Sequence, residues 1–378
     1  MKTKFDNINS IRLLLALVVL CLHFEAYKKH NGLKSILNDS SNLFVIGEIA
    51  VYFFFTISGF LIGYNLISEK AQTNTVSLKR FYTNRALRIW PLYYLAIVLY
   101  WFVLPHTVFG NILDKFPAHI YANSIIMQNK LTEHTALLLY LFFLPQLASL
   151  NAQFSGSSMY PAPHLWSIGV EEVFYLLIPL FILFTRNILK KLTQVTIFYF
   201  AFPILLIIIY KLHNSKIIFA LLFAIFMHPF CCMLLGVIGS YLYYYHSDKI
   251  VRYCNKKSAA VCCMLILIML YKSLYFYWFV PAIYCLLFSV VLLYLVQHKI
   301  NILSLSFIDY LGKISYGIYI YHNISIAIII YLIKYAISPK LKFMLSYPIV
   351  FVILLTVLMS VISYEFIEKR FLQLKRKG

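Results

Sequence analysis

Charge is scarce in this sequence. Asp, Glu, Lys and Arg make up 12% of its 378 residues, about half the share found in a soluble globular domain. So little polar surface cannot coat a core of this size in water, and a soluble fold is excluded. Acidic residues are scarcer than basic ones, 13 Asp plus Glu against 33 Lys plus Arg, for a net charge of +20. In a soluble protein that excess would suggest a nucleic-acid partner. In an apolar chain it reflects the gathering of Lys and Arg in cytoplasmic loops, and no nucleic acid is expected. A basic inner rim of this kind also suits anionic lipid heads or a polyphosphate ligand. Cysteine offers no framework: Cys21, Cys231, Cys232, Cys254, Cys262, Cys263 and Cys285 lie mostly in apolar runs, without the spacing of a zinc or disulfide set. They read as small core hydrophobes, and no metal is expected. Repeats, low-complexity tracts and a separate soluble domain are also missing. No small-residue cleavage site follows the first apolar run, so the N-terminus with Lys2 and Lys4 reads as a retained helix.

What is abundant is hydrophobic length. Apolar residues are 62% of the chain and the mean hydropathy is +0.81. Runs long enough to cross a bilayer fall near 11–27, 45–67, 89–105, 164–185, 195–211, 217–244, 258–273, 275–297, 314–336 and 343–367. They predict an all-α, polytopic integral membrane protein of about ten transmembrane helices, forming one domain over 1–378. The run 135–150 is short for a span and is interrupted by Pro145; it is expected to be re-entrant or interfacial. With both termini cytoplasmic, the inner segments carry about twice the Lys and Arg of the outer ones, as topology demands. The longest polar connection, 106–163, is then external.

Against this background a few polar constellations stand out. Arg12 and His23 lie in the first apolar run, and at 100° per residue their eleven-residue separation returns them within about 20° of one face, ~16 Å apart. A cation and an imidazole on one face of a membrane helix are costly and are functional candidates, although both could snorkel to the two interfaces. Arg85 and Arg88 are three residues apart, with Arg80 a turn or so earlier. Three such guanidiniums suit a phosphate-rich ligand, and equally suit lipid phosphates. In the run Gly47–Ile62, Ser58-Gly59 reads as a close helix contact. In His164-Leu165-Trp166-Ser167-Ile168-Gly169-Val170-Glu171-Glu172, Ser167 and Glu171 share a face, either as a helix cap or as a site at the membrane boundary. His322 lies in a Tyr-rich run whose hydroxyls would satisfy it as a packing residue.

Taken together and in order, these motifs resemble the bacterial membrane acyltransferase-3 family. They are Arg12-x10-His23, GlyGluIleAlaValTyrPhePhePheThrIleSerGlyPhe, ArgPheTyr with Arg85-x-x-Arg88-IleTrpPro, HisLeuTrpSer with GluGluValPheTyr, GlyLysIleSerTyrGlyIleTyr with His322, and the closing PheIleGluLysArgPhe. The resemblance covers nearly the whole chain. It implies an O-acyltransferase of the bacterial cytoplasmic (inner) membrane that takes an acyl group, usually acetyl, from cytoplasmic acyl-CoA and places it on a hydroxyl of an extracytoplasmic carbohydrate. Carried over by position, His23 is the catalytic histidine. Arg12 is its partner in acyl-CoA binding, Arg85 and Arg88 are the donor-binding pair with Arg80 beside them, and Ser167 and Glu171 are the acceptor-side catalytic residues. Ala50, Gly169, Val173 and Arg370 depart from the family pattern, where a second Gly, Ser, Gln and Pro are usual. No esterase-like domain is appended, so the membrane part is expected to act alone or with a partner. A proton-coupled transporter or flippase of an envelope glycan precursor is the alternative, since it too needs intramembrane Arg, His and Glu.

Overall fold

The computed structural model describes residues 5, 7–35, 41–113, 132–149, 161–213, 230–271, 280–335 and 347–375, and every regular element among them is helical. Helix α1 (Ile8–His30) opens the chain, followed by α2 (Ser41–Thr73) and α3 (Leu78–Val98). The latter runs on through a π-turn at Leu99–Val103 and a 3-10 turn at Leu104–His106. A short α4 (Glu133–Leu141) precedes α5 (Trp166–Phe184) and α6 (Ile188–His213). The later helices are α7 (Phe230–Tyr245), α8 (Ser247–Tyr253), α9 (Lys256–Tyr271), α10 (Val280–Gln297), α11 (Ser306–Lys313), α12 (Ser315–Tyr335) and α13 (Pro348–Ser363).

Among the described residues seven helical stretches are long and apolar enough to cross a membrane, or eight if the α8–α9 pair, bent by 61°, is one span. This establishes a multi-pass, all-helical membrane protein. The expected ten becomes seven or eight because the run 217–244 falls partly outside the described residues, leaving a 16-residue α7. The run 195–211 lies in α6, whose side chains are described only in part. Half of the expected external connection 106–163 lies outside the described residues. Within 135–150, α4 is nine residues long, under half of a span. It is followed by a turn at Phe143, whose φ of 59° is left-handed.

Helix ends follow the sequence closely. At the end of α1, Gly32 takes a φ of 70°. Its N–H donates to Lys29 O at 3.1 Å, and that of Leu33 to Lys28 O at 2.9 Å; the pair closes the last turn with a Schellman motif. Lys28, Lys29 and His30 in that turn complement the helix dipole.

The chain divides into two compact units. The first comprises 1–11, 48–78 and 170–309, and the second 12–47, 79–169 and 310–378. In the first, α2 and α7 approach until their backbones touch. A Cβ at Gly59 would fall on Met233 O, one at Gly236 on Thr56 O, and one at Gly63 on Ser240 Oγ. Small residues four apart on both helices allow this approach. Lys70 Nζ donates to the carbonyls of Ile182 (2.6 Å), Leu183 (3.1 Å) and Thr185 (2.6 Å), which the last turn of α5 would otherwise leave unsatisfied. Asn7 Nδ2 does the same for Leu295 and His298 beyond α10, both at 2.6 Å. In the second unit α12 packs along α13, with Gly317 against Ser360. The hydroxyls of Tyr316 and Tyr100 donate to Ile89 O (3.1 Å) and Ile320 O (3.3 Å), tying α3 and its π-turn to α12.

Candidate active site

The polar residues that the second unit buries converge on α12. Tyr319, His322 and Asn323 stand at i, i+3 and i+4 and share one face of that helix. Beside them, α1 brings His23. Its Nδ1 lies 2.8 Å from His322 Nε2 and 3.4 Å from Asn323 Oδ1. From the Pro163–Leu165 turn comes His164, whose Nδ1 is 2.9 Å from Asn323 Nδ2. The rings of His164 and His322 lie 5.3 Å apart, centre to centre, and that of Tyr100 lies 5.2 Å from His164. His164 and His322 are buried, whereas His23 keeps some accessible surface. Among the described residues no group of three or more His, Cys, Asp or Glu side chains is arranged to hold a metal ion; these imidazoles bond to one another and to Asn323.

Ser167, in the first turn of α5, is 2.8 Å from the Tyr319 hydroxyl, which in turn donates to His164 O at 2.7 Å. Tyr319 has a single hydroxyl proton, and the carbonyl takes it. Ser167 is therefore the donor to Tyr319, and its buried hydroxyl ties α5 to α12. His322 is satisfied by the backbone carbonyl of Tyr319, at 2.6 Å from its Nδ1, and by His23, instead of by the tyrosine hydroxyls expected from sequence.

The other sequence-predicted residues fall in two groups. Arg12 lies on α1 as expected, and the face between it and His23 is packed with the buried Leu15, Ala16, Val19 and Leu20. Arg80, Arg85 and Arg88 occupy the first half of α3. Arg85 stacks its guanidinium over Phe81, 5.8 Å from the ring centre, and Arg88 acts electrostatically on Glu368, in the π-turn Tyr364–Glu368. All four arginines, His23 and Ser167 belong to the second unit, whereas Glu171 belongs to the first. There its carboxylate accepts from Ser58 Oγ and Tyr175 Oη, both at 2.9 Å. Sequence reasoning placed His164 at the head of a candidate site run but missed Tyr319 and Asn323. The signal was present, because phenol, imidazole and amide at i, i+3 and i+4 in an apolar helix are as unusual as Arg12 with His23.

Residues 5–365 match the acyltransferase domain that defines acyltransferase-3. The chain belongs to that family. Among curated relatives, the O-acetyltransferase OatA of Staphylococcus aureus is 27% identical over 354 residues, covering 88% of this chain and 53% of that protein. An uncharacterized protein of Haemophilus influenzae is 31% identical over 156 residues, 41% of this chain and 56% of its own. The peptidoglycan O-acetyltransferase OatA of Listeria monocytogenes is 30% identical over 141 residues, 36% of this chain and 20% of its own. This acyltransferase-3 chain thus spans about half the length of the Staphylococcus aureus relative it matches. No solved structure matches it.

One departure from the family pattern now has a physical reason. A Cβ at Gly169 would meet Phe143 O at 2.9 Å and Pro145 Cδ at 2.7 Å, and would fall on Gln146 Oε1. The missing side chain at Gly169 is where the 143–146 segment seats against α5.

Proposed function

We propose that the chain is an O-acyltransferase of the bacterial cytoplasmic membrane, moving an acyl group, acetyl by preference, from acyl-CoA at the inner face to a hydroxyl of an extracytoplasmic carbohydrate. The observation that carries this reading is the direct bond between His23 and His322 inside a membrane helix unit, in a chain of this family. Imidazoles bonded to one another there are costly unless they do chemistry. A buried neutral imidazole held at one nitrogen can work at the other as a base.

In this proposal Arg85 and Arg88, with Arg80 beside them, hold the phosphates of the coenzyme; guanidinium forks suit phosphate oxygens and retain their charge at any working pH. Arg12 guides the pantetheine arm along α1, whose packed face between Arg12 and His23 must part to admit it. The thioester carbonyl then meets the acceptor hydroxyl at His23. By direct transfer, His23 takes the hydroxyl proton, the oxygen attacks the carbonyl carbon, and the C–S bond breaks. The thiolate then leaves with the proton returned by His23. By the alternative route a ring nitrogen of His23 attacks the thioester carbonyl carbon, the C–S bond breaks and the thiolate leaves. The acceptor hydroxyl then attacks the acyl-imidazole, the C–N bond breaks to restore His23, and the hydroxyl proton passes to the thiolate. Ser167 holds α12 in place for this chemistry. The name of the Listeria monocytogenes relative points to peptidoglycan as one acceptor class.

Purified protein incubated with labelled acetyl-CoA and candidate envelope glycans tests the reading. Label on a glycan hydroxyl is the expected result. Movement of glycan across vesicles without label transfer would overturn it in favour of the carrier.

A further inference from the structure

The hydrogen bonds of α12 determine which nitrogen of His23 bears its proton. The oxygen of Tyr319 can only accept, so at 2.6 Å His322 Nδ1 must be the donor. A neutral imidazole has one N–H, and His322 Nε2 is therefore an acceptor. Its neighbour at 2.8 Å is His23 Nδ1, which must carry the proton, leaving the lone pair of His23 on Nε2. The orientation of Asn323 agrees with this assignment. Its amide donates from Nδ2 to His164 Nδ1 and presents Oδ1 to His23 Nδ1, so His23 Nδ1 again faces an acceptor. The opposite assignment needs His322 to be an imidazolium, with 1% of its surface exposed, and a charge buried so deeply is strongly disfavoured.

We propose that His322 is a positioning residue that fixes His23 in its Nδ1-protonated tautomer, so that the reacting nitrogen is Nε2. Tyr319 O and Asn323 Oδ1 complete the device. It rests on the reading of His23 as base or acyl acceptor, and both routes need a lone pair at a defined nitrogen. The role is that of the carboxylate in a Ser-His-Asp triad, filled by a neutral imidazole, which suits an interior where a carboxylate would be costly.

The protein labelled with ¹⁵N-histidine and reconstituted in lipid nanodiscs tests this, with the His23 resonances identified by their loss in His23→Ala. The expected pattern for His23 is protonated Nδ1 and unprotonated Nε2; the reverse pattern would overturn the proposal. His322→Leu, which offers no acceptor, is expected to give a mixture of tautomers. It should lower kcat about 10²-fold with little change in KM for acyl-CoA. His322→Gln, whose Oε1 can accept from His23 Nδ1, is expected to keep the wild-type nitrogen pattern and most of kcat. Equal loss in folded Leu and Gln variants would show a packing role and overturn the proposal. The nitrogen pattern is read without turnover, so a wild-type chain with the expected tautomer but no acyl transfer supports the device and refutes the enzymatic reading alone.

Discussion

The two units of this molecule use their few polar and small residues in opposite ways. In the first, Lys70 and Asn7 cap carbonyls at helix ends and Gly59 and Gly236 let two backbones touch, while one mid-helix cluster joins Glu171 to Ser58 and Tyr175. In the second, mid-helix polar side chains meet one another, His23 with His322 and Asn323, and Asn323 also reaches His164 in the turn before α5. A polar group that closes a helix end repairs a deficit that every helix has. A polar group buried among its like, away from any helix end, has no such structural need.

The variant expected to have the largest effect attacks the second unit. His23→Ala should lower acyl transfer about 10³-fold or more while leaving the melting temperature of the purified protein within a few degrees. Full activity in that variant would erase the distinction between the units. Gly59→Val attacks the first unit, where the added side chain meets the backbone of Met233. A cost of about 3 kcal/mol or more is expected, seen as loss of folded protein from membranes; normal accumulation would show that α2 and α7 can separate freely. Replacing Arg85 and Arg88 together by Ala should raise the KM for acyl-CoA by about tenfold to a hundredfold, the loss of two charge-assisted contacts, with kcat at saturation nearly kept. An unaltered KM would remove the donor site from α3.

Smaller effects sharpen the comparison. Gly169→Ser should destabilise by about 1–3 kcal/mol through overpacking, and Gln146→Ala in the same chain should recover part of the lost melting temperature. Ser167→Ala removes one hydrogen bond, worth about 1 kcal/mol, and should lower kcat by several-fold. A loss comparable to that of His23→Ala would instead give the Ser167 hydroxyl a direct part in the reaction.

Hydrophobic length made most of the helices legible from sequence, because an 18-residue apolar run has few other uses. The run 258–273 coincides with α9, but the 61° bend between α8 and α9 is one that no run of apolar residues announces. His23 and Arg12 were legible because a charge and an imidazole in one span stand out against their neighbours. His322 was seen but read as packing, because its meaning depends on a partner 299 residues away. The roles of Gly59 and Gly169 likewise depend on which backbone arrives from elsewhere, a fact that spacing along one helix does not contain.

The π-turn at Leu99–Val103 has a consequence for how this region can vary. Such a turn is a helix that has absorbed one extra residue without breaking. The residues beyond it are rotated by about 100° from where an uninterrupted helix would place them. Tyr100, which reaches both Ile320 O and the His164 ring, lies inside that turn, and the segment after it owes its aim to the extra residue. Chain length in this stretch is therefore under tighter constraint than residue identity. Deleting one residue between 99 and 103 would turn the segment beyond it, with no change in its composition, whereas exchanging one aliphatic residue for another would leave its aim intact.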